Sequence, residues 1–287
     1  MFGNIKKTDD NMFRSSVLLA LLSVFFISPA LGQKVIYVAP NGSNQHTGSL
    51  QRPIATMRQA LLLAKKAPRG KIDIVLRAGV YYPDTTIVIR SKDFQHKTIR
   101  IKAFNTEKVV ISGAHKVNLK WYKHSPHIYA AKLALGFVTD AMYINGKPCV
   151  MARYPNYDAS ARVFNGTAPD AISTARVKGW SNPEGGFLHA LHSGEWGSFH
   201  YRFTGKNMDG TLTMQGGWQN NRPSPLHAQF RFVENIFEEL DAPGEWYYHK
   251  AHQTLYYYPT SEGLIDSGAI EFSKLKTILH LVGNAST

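Results

Sequence analysis

The sequence has very little cysteine: Cys149 is the single one among 287 residues. A disulfide needs two cysteines, so a disulfide framework is excluded and stability has to come from the burial of apolar side chains. Hydrophobic residues make up 44% of the chain, which permits a sizeable core. The N-terminal region contains no cysteine, so we expect no lipoprotein anchor there.

Long apolar runs are equally scarce, and the one present covers residues 17–31. Three basic residues precede it: Lys6, Lys7 and Arg14. It ends in Ala-Leu-Gly, with small residues at the two positions that a signal peptidase reads. Its length is short for a membrane span and typical of a secretory signal, although an uncleaved anchor is the alternative. We predict a signal peptide over residues 1–32 and a mature chain that starts at Gln33 and is secreted, periplasmic or on the cell surface.

Acidic residues are few: 20 Asp and Glu stand against 33 Lys and Arg, a formal net charge of +13 at pH 7. Removal of the signal peptide leaves 30 basic against 18 acidic residues, a net charge of +12. Such an excess attracts polyanions. For an exported protein, an acidic polysaccharide is a more natural polyanion than nucleic acid. Alternatively, the charge only keeps the protein soluble, because no Lys/Arg-rich block concentrates it.

The mature chain begins with one short strand and one amphipathic helix. The strand covers residues 35–38, and Thr56 with Gln59 fits a capping box that opens the helix. Apolar residues then recur at helical spacing: Met57, Ala60, Leu61 and Ala64. Pro68 and Gly70 end the helix.

Four short β-branched runs follow the helix, centred near Ile74, Ile87, Ile99 and Val110. The centres are 13, 12 and 11 residues apart, so every second run recurs after 25 or 23 residues. Such periods are typical of solenoids. An antiparallel sandwich is the alternative, but no Asn-Gly or Asp-Gly hairpin turn separates the runs. We therefore predict an all-β fold that begins with the coils of a parallel β-helix, whose open end the N-terminal helix caps.

From residue 115 onward, aromatic-rich strands and Gly-rich loops replace the coil rhythm, and one hairpin turns at residues 250–253. We predict a β-rich insertion over residues 115–260, between the cap and first coils at residues 33–114 and one resumed coil at residues 261–287. A β-helix that stopped there would present an unpaired strand edge, which natural proteins avoid. We therefore expect the chain to be the N-terminal part of a longer protein.

Several segments of the mature chain resemble a known family. IYVAPNGS, RPIATMRQAL, LRAGVYY and VVISGA resemble the pectate-lyase-like family of secreted right-handed β-helix proteins, which includes glycoside hydrolases and polysaccharide lyases. MYINGKPCVMARYPN and ENIFEELDAPGEWYYHKAHQTLYYYP look more like the glycoside hydrolases with a β-rich insertion. The resemblance covers nearly all of the mature chain. It implies a right-handed parallel β-helix whose acidic catalytic residues generally lie on later coils.

The stretch GGFLHALHSGEWGSFHYRF places three histidines and a glutamate within twelve positions. Its glycines leave no room for a stable helix, and its alternation predicts two strands around a Ser-Gly-Glu-Trp-Gly turn. In that register we expect His192 and His200 to share a face and His189 to point to the other. Zinc needs three or four converging ligands, so we expect no metal. Ordinary packing and a sugar-binding surface both stay open for the following residues: His192, Glu195, Trp196 and His200.

Two acidic residues, Glu239 and Asp241, are the candidates for a catalytic pair. They are two positions apart, so on a strand they share a face at roughly 6.6 Å spacing. Glycosidases need two carboxyl groups roughly 5–9.5 Å apart. However, the Asp-Ala-Pro-Gly sequence at this point is also ordinary turn chemistry, which leaves a structural role open.

Aromatic residues with nearby Arg and Asn suit a carbohydrate groove. The segment GGWQNNRP brings together four predicted binding residues: Trp218, Asn220, Asn221 and Arg222. Arg153 could clamp a carboxylate or sulfate, or pair with a neighbouring acid. We interpret the tyrosine-rich hairpin as core of the insertion, because large rings dominate burial.

These observations favour a secreted carbohydrate-active protein, the N-terminal part of a glycoside hydrolase that acts by paired carboxylates on a complex polysaccharide, with an acidic one as a candidate. A polysaccharide lyase is one alternative, although the sequence has no Asp-rich calcium cluster. A non-catalytic carbohydrate-binding or surface protein is another. We expect a polysaccharide or oligosaccharide partner, no cofactor, no metal, no nucleic acid and no membrane association after signal cleavage.

Overall fold

The computed structural model describes residues 33–218, 224–261 and 269–283. Within these ranges the chain is rich in β-structure, with 21 strands beside two α-helices and two short 3-10 helices. This confirms the predicted β-rich class. Neither α-helix in the described part of the chain has the length and apolar character needed to cross a membrane. The predicted signal peptide lies outside the described residues.

Seven strands, six at the start and one at the end, pair in parallel. They are β1 (Lys34–Val38), β2 (Gly70–Leu76), β3 (Gly79–Tyr81), β4 (Ile87–Arg90), β5 (Lys97–Ala103), β6 (Val109–Ile111) and β21 (Leu279–Val282). One sheet has the order β1-β2-β5, a second pairs β3 with β6, and a third pairs β4 with β21. The first and third predicted runs, β2 and β5, are therefore neighbours, as predicted, but the second and fourth are not, because β4 pairs with β21 and β6 pairs with β3. All these pairings are parallel, so the antiparallel sandwich is excluded for these strands.

Alternate side chains of the parallel strands point into one apolar core, where Ile36, Ile72 and Ile74 are fully buried. The neighbouring position on β2 holds Asp73, which points to the opposite side of the sheet. Arg100 Nε lies 3.0 Å from Asp73 Oδ1 and Lys102 Nζ lies 2.9 Å from Oδ2. The Arg100 hydrogen bonds lower the pKa of Asp73 to about 2, so this carboxylate is ionised throughout the physiological range.

Helix α1 (Met57–Lys66) packs against the parallel strands through the face predicted from its sequence. Its buried residues are Met57, Ala60, Leu61 and Ala64. Thr56 is the N-cap: its hydroxyl oxygen accepts from the backbone N–H of Gln59 at 3.2 Å and donates to Asn44 Oδ1 at 3.1 Å. The helix start is thereby tied to the loop that precedes it.

Replacing Thr56 with alanine is expected to lower the free energy of unfolding by about 1 kcal/mol, because the first turn loses its cap. Thr56→Ser keeps the hydroxyl and should stay close to the parent. Urea unfolding followed by circular dichroism measures both variants. Equal stabilities for the alanine and serine variants would show that the cap contributes nothing.

Thirteen of the remaining fourteen strands belong to the segment predicted as an insertion, and the last of them falls in the predicted resumed coil. They are β7 (Ala114–Val117), β8 (Trp121–Lys123), β9 (Tyr129–Lys132), β10 (Met142–Ile144), β11 (Lys147–Pro148), β12 (Val150–Met151), β13 (Arg153–Tyr154), β14 (Phe187–His192), β15 (Ser198–Lys206), β16 (Leu212–Gly216), β17 (Leu226–Glu234), β18 (Glu245–His249), β19 (Thr254–Tyr257) and β20 (Ile270–Ser273). The second helix, α2, covers Thr174–Gly179. Short 3-10 turns cover Ser91–Phe94 and Phe237–Glu239.

These fourteen strands form three sheets, paired antiparallel except for β12 with β18. A four-stranded sheet has the order β11-β10-β20-β7. The five-stranded sheet β12-β18-β19-β9-β8 contains the tyrosine-rich hairpin, and we name it the tyrosine sheet. The other five-stranded sheet, β13-β17-β14-β15-β16, carries His189 and His200, and we name it the histidine sheet.

The two ends of the segment that holds these fourteen strands lie next to each other. The carbonyl oxygen of Gly113, just after β6, accepts a hydrogen bond from the backbone N–H of Leu275 at 2.9 Å. Among the described residues of the predicted resumed coil, β21 joins the parallel strands, whereas β20 pairs antiparallel with β7 and β10. Burial accounts for the difference, because Phe272 of β20 is fully buried and packs edge-on against Trp246 of the tyrosine sheet.

Candidate functional site

A cavity of about 600 Å³ lies between the histidine sheet and the tyrosine sheet. Aromatic rings form much of its wall: Phe137, Phe187, Trp246, Tyr247 and Tyr248. The polar side chains on the wall are Asn182, Glu184, Arg202, Asn235, His249 and Lys250. An apolar cavity of this volume with a few convergent polar groups is the usual form of a small-molecule site.

The wall from the histidine sheet follows from strand alternation. Phe187 on β14 lies directly opposite Arg202 on β15 and opposite Glu234 on β17. Residues paired in this way share a face of a sheet. The next residue on each of the first two strands, Leu188 and Phe203, is fully buried on the other face. The alternation therefore turns Phe187 and Arg202 toward the cavity.

The wall from the tyrosine sheet consists of three consecutive aromatic residues on β18. The Tyr248 hydroxyl donates to the carbonyl of Leu133 at 2.9 Å, and burial raises the pKa of Tyr247 to about 12. Trp246 is 1% exposed, and its indole N–H has no acceptor among the described residues. Buried donors are nearly always paired, so this one is an unusual feature of the wall.

The charges on the wall are largely uncompensated. Arg202 and Lys250 form no ion pair or side-chain hydrogen bond within the described part of the chain. Glu184 is the one carboxylate among the described residues that line the cavity. Burial lowers the pKa of His249, and the stacked ring of His252, 4.0 Å away, lowers it further, which favours the uncharged imidazole.

The predicted hairpin between β14 and β15 is present, but the expectation that His192 and His200 share a face is wrong. The register places His189 opposite His200. The turn is one residue shorter than expected, because the N–H of His192 donates to the carbonyl of Gly197 at 2.9 Å and brings that glycine into the pairing. One residue fewer in the turn exchanges the faces of one strand relative to the other.

His189 lies at the centre of a chain of polar contacts on the cavity-facing side of the histidine sheet. Its Nε2 is 2.8 Å from Glu234 Oε1, and its Nδ1 is 2.6 Å from His200 Nδ1. Its ring stacks on Phe232 with 4.6 Å between the centroids. Burial lowers the pKa of His200, and His189 lowers it further. Within the described residues, no group of three His, Cys, Asp or Glu side chains has the geometry to hold a metal ion.

His192 points to the other side of the sheet and is 4% exposed. Its ring lies 4.2 Å from Phe199 and 4.8 Å from Trp196, and its two nitrogens have no hydrogen-bond partner among the described residues. A Cβ on Gly197 would lie 2.5 Å from the His192 ring, so a larger residue would displace it. Of the two interpretations left open, packing is the one that this geometry favours for His192.

The predicted tryptophans lie at one end of the histidine sheet, where β14 turns into β15 and β16 ends. Trp196 is 51% exposed and Trp218 is 74% exposed. Glu195 occupies the same turn with a φ of 60°, and its Oε1 is 3.6 Å from His227 Nε2. These residues stay candidates for a sugar-binding surface outside the cavity. Three further candidates lie outside the described residues: Asn220, Asn221 and Arg222.

The predicted acidic pair does not form on a strand. Glu239 ends the 3-10 turn Phe237–Glu239, and Asp241 lies in the exposed loop that follows. Glu239 is 5% exposed, and its oxygens accept from Arg176 Nη1 at 3.0 and 3.1 Å and from Trp180 Nε1 at 2.7 Å. All these donors belong to the protein, so we assign Glu239 a structural role.

Arg153 matches neither of its predicted roles. Its Nε donates to the carbonyl of Pro155 at 2.9 Å, and its Nη2 donates to the carbonyls of Phe164 and Gly166 at 3.1 and 2.9 Å. The guanidinium is buried over the ring of Phe232, at 4.1 Å from its centroid. It fixes the loop after β13, because backbone carbonyls use the donors that a ligand would need.

Comparison with known proteins was informative at the level of the fold. No protein-family model matches the chain. A solved glycoside hydrolase superposes on 88% of the chain with a TM-score of 0.70 at 22% sequence identity. The two proteins share a fold. The chain spans about half, 48%, of that glycoside hydrolase.

Two other similarities are weaker. The chain is 31% identical over 86 residues to the uncharacterized protein YwoF of Bacillus subtilis strain 168, a match that covers 30% of this chain and 17% of YwoF. The complex structure of XylC with xylose superposes with a TM-score of 0.36 at 14% identity, which is too low to indicate a shared fold.

Sequence reasoning missed the residues that line the cavity. Neither Arg202 nor Phe187 stands out in the sequence. The available signal was the alternation in β15 together with the aromatic run in β18. This signal shows on which face of its strand each residue lies, but it does not show that the two sheets lie against each other.

Proposed function

We propose that the chain is the carbohydrate-binding N-terminal part of a secreted glycoside hydrolase built on a right-handed parallel β-helix. The superposition on a glycoside hydrolase at a TM-score of 0.70 supports this proposal. Successive strands β2, β3 and β4 also occupy three different parallel sheets, which is the arrangement that one coil requires. The predicted signal peptide agrees with an extracellular polysaccharide substrate.

The observation that carries the proposal is the aromatic cavity between the tyrosine sheet and the histidine sheet. A sugar ring has apolar C–H faces and a rim of hydroxyl groups. Phe187 and Tyr248 present ring surface for the faces, while Asn182 and Asn235 offer amides that can both donate to hydroxyls and accept from them. This combination of a few polar groups with an aromatic wall fits a bound saccharide.

Hydrolysis requires two carboxyl groups on either side of the scissile bond. Glu184 is the single carboxylate on the wall among the described residues, and Glu239 is occupied by Arg176 and Trp180. We place the catalytic pair outside the described residues. The same observation favours a second candidate, a carbohydrate-binding protein without catalysis.

Titration calorimetry with neutral and acidic oligosaccharides tests the proposed site. Phe187→Ala is expected to weaken binding about tenfold, the size of effect that an aromatic anchor has at an interface. Phe187→Leu keeps the apolar volume but lacks the planar face, so it should also weaken binding while preserving the fold. Tyr122→Ala is the matched control, because Tyr122 is 47% exposed and does not line the cavity.

If both Phe187 variants bound sugar with the affinity of the parent protein, the cavity would not be the binding site. If Trp196→Ala alone abolished binding, the exposed end of the histidine sheet would be the binding surface instead. Product analysis separates the reactions, since a hydrolase releases reducing sugars and a lyase releases unsaturated uronates that absorb ultraviolet light. Binding without products would favour the non-catalytic candidate.

A further inference from the structure

The arginines of the insertion differ in whether their donors are used. Arg153 donates to three backbone carbonyls, Arg176 to Glu239, and Arg231 to the carbonyl of Pro169. The side chain of Arg202 has no ion pair, hydrogen bond or ring contact within the described part of the chain. It is exposed at the cavity wall, with five N–H donors in a planar fork.

The position of Arg202 is fixed more firmly than that of an ordinary surface arginine. Its strand, β15, is paired on both sides, with Phe187 of β14 and Gln215 of β16 directly opposite Arg202. The residue that follows, Phe203, is fully buried and stacks on Trp180 with 6.0 Å between the centroids. A central strand anchored in this way presents the guanidinium from a rigid base.

The charge around Arg202 favours an anion. Lys250 adds a second cation to the lining of the cavity, and Glu184 is the single opposing carboxylate among the described lining residues. Burial lowers the pKa of His249, which favours its uncharged form. The cavity therefore has an excess of positive charge beside aromatic rings. Anions are drawn to such clefts.

A second unpaired donor belongs to the wall formed by the tyrosine sheet. The indole N–H of Trp246 is buried and has no acceptor among the described residues. Buried donors left without a partner cost free energy, and in native proteins such a group often marks a ligand or a water site. Trp246 and Arg202 line the cavity from different sheets.

We propose that Arg202 binds the oxyanion substituent of a sugar residue held in this cavity. A carboxylate or a sulfate accepts two parallel hydrogen bonds from a guanidinium, which gives both affinity and orientation. This inference rests on the proposed function and adds the substrate class: a glycan with acidic groups, as in uronates or sulfated sugars. Arg202 is then the residue that determines specificity for acidic over neutral sugars.

The test compares matched ligands with matched variants. The probes are oligosaccharides of galacturonic and glucuronic acid, their methyl esters, and sulfated galactose oligosaccharides, titrated calorimetrically into the protein. Methyl esterification removes the charge and keeps the sugar, so the acid is expected to bind at least about tenfold more tightly than its ester. Uronate and sulfate probes separate the two sources of the oxyanion.

Arg202→Gln is expected to remove this preference, because it should lower the affinity for the acid about tenfold and leave the affinity for the ester unchanged. Arg202→Lys keeps the charge but not the fork, and should recover part of the loss. Arg69→Gln is the control, because it removes the same charge from an exposed position away from the cavity.

Three outcomes decide the matter. An acid preference that disappears in Arg202→Gln and survives in Arg69→Gln supports the inference. Equal binding of acids and esters by the parent protein, or an acid preference that Arg202→Gln leaves intact, overturns it while the proposed function stands. If no probe, charged or neutral, binds the parent protein, both the proposed function and the inference fail.

Discussion

Replacing Glu239 with alanine is expected to lower the free energy of unfolding by about 3–5 kcal/mol, the usual effect of removing one partner from a buried ion pair. Glu239 is 5% exposed and holds Arg176 and the indole N–H of Trp180. Its removal leaves the buried indole N–H of Trp180 without its acceptor and leaves the partly buried guanidinium of Arg176 with the exposed Asp170 as its remaining ion-pair partner among the described residues. Urea unfolding, followed by tryptophan fluorescence, measures the loss.

Asp241→Ala is the matched control, because Asp241 is exposed and its carboxylate holds no described side chain. Its effect should stay within about 0.5 kcal/mol, as for most surface substitutions. A Glu239→Ala protein that kept its stability but lost activity would reverse the assignment, since a catalytic group is dispensable for folding. A variant that lost stability but still bound sugar in its folded fraction would support the structural role assigned to Glu239.

Stability is expected to fall by about 3 kcal/mol as the pH rises from about 4 to about 8, because of Glu245. This residue is 1% exposed, and burial raises the pKa of its carboxyl from an ordinary 4.5 to about 7. Backbone N–H groups of Asp241 and Ala242 donate to Oε2 at 3.2 Å, while Oε1 has no partner among the described residues.

The sign follows from which state binds the proton more tightly. Because the folded pKa is above the unfolded one, the folded state keeps its proton to higher pH, and the stabilisation present below pH 4.5 is lost as the pH passes through about 7. Glu245→Gln cannot ionise, so its stability should lack this fall. The measurement is urea unfolding of both proteins from acid to mildly alkaline pH. Parallel stability curves for parent and variant would show that Glu245 does not titrate in this range.

Local elements could be predicted from the sequence because their causes are local. The cap at Thr56, the helix face and the parallel pairing of the first and third runs all follow from spacing and turn chemistry. The second and fourth runs pair with other strands, which their spacing does not reveal. The histidine register could not be predicted, because it depends on whether Gly197 belongs to the turn or to the pairing. A difference of one residue there exchanges the partners of His189 and His192.

The candidate site was harder to predict because its parts come from distant segments. Phe187 and Arg202 lie on a sheet formed by residues 153–234, while Trp246 and Tyr248 belong to another sheet. Charged residues named from short motifs, such as Arg153 and Glu239, are held by groups of the protein itself. A motif gives the residue type, whereas availability to a ligand depends on tertiary partners.

The hydrogen bond between Gly113 and Leu275 has a consequence for evolution. A segment whose two ends lie close together can be lengthened or exchanged without displacing the strands on either side. The distance between those strands stays short whatever the length of the segment between them. The three mostly antiparallel sheets can therefore diversify independently of the parallel strands. We expect related proteins to vary most between these two anchor points and least in the scaffold strands that flank them.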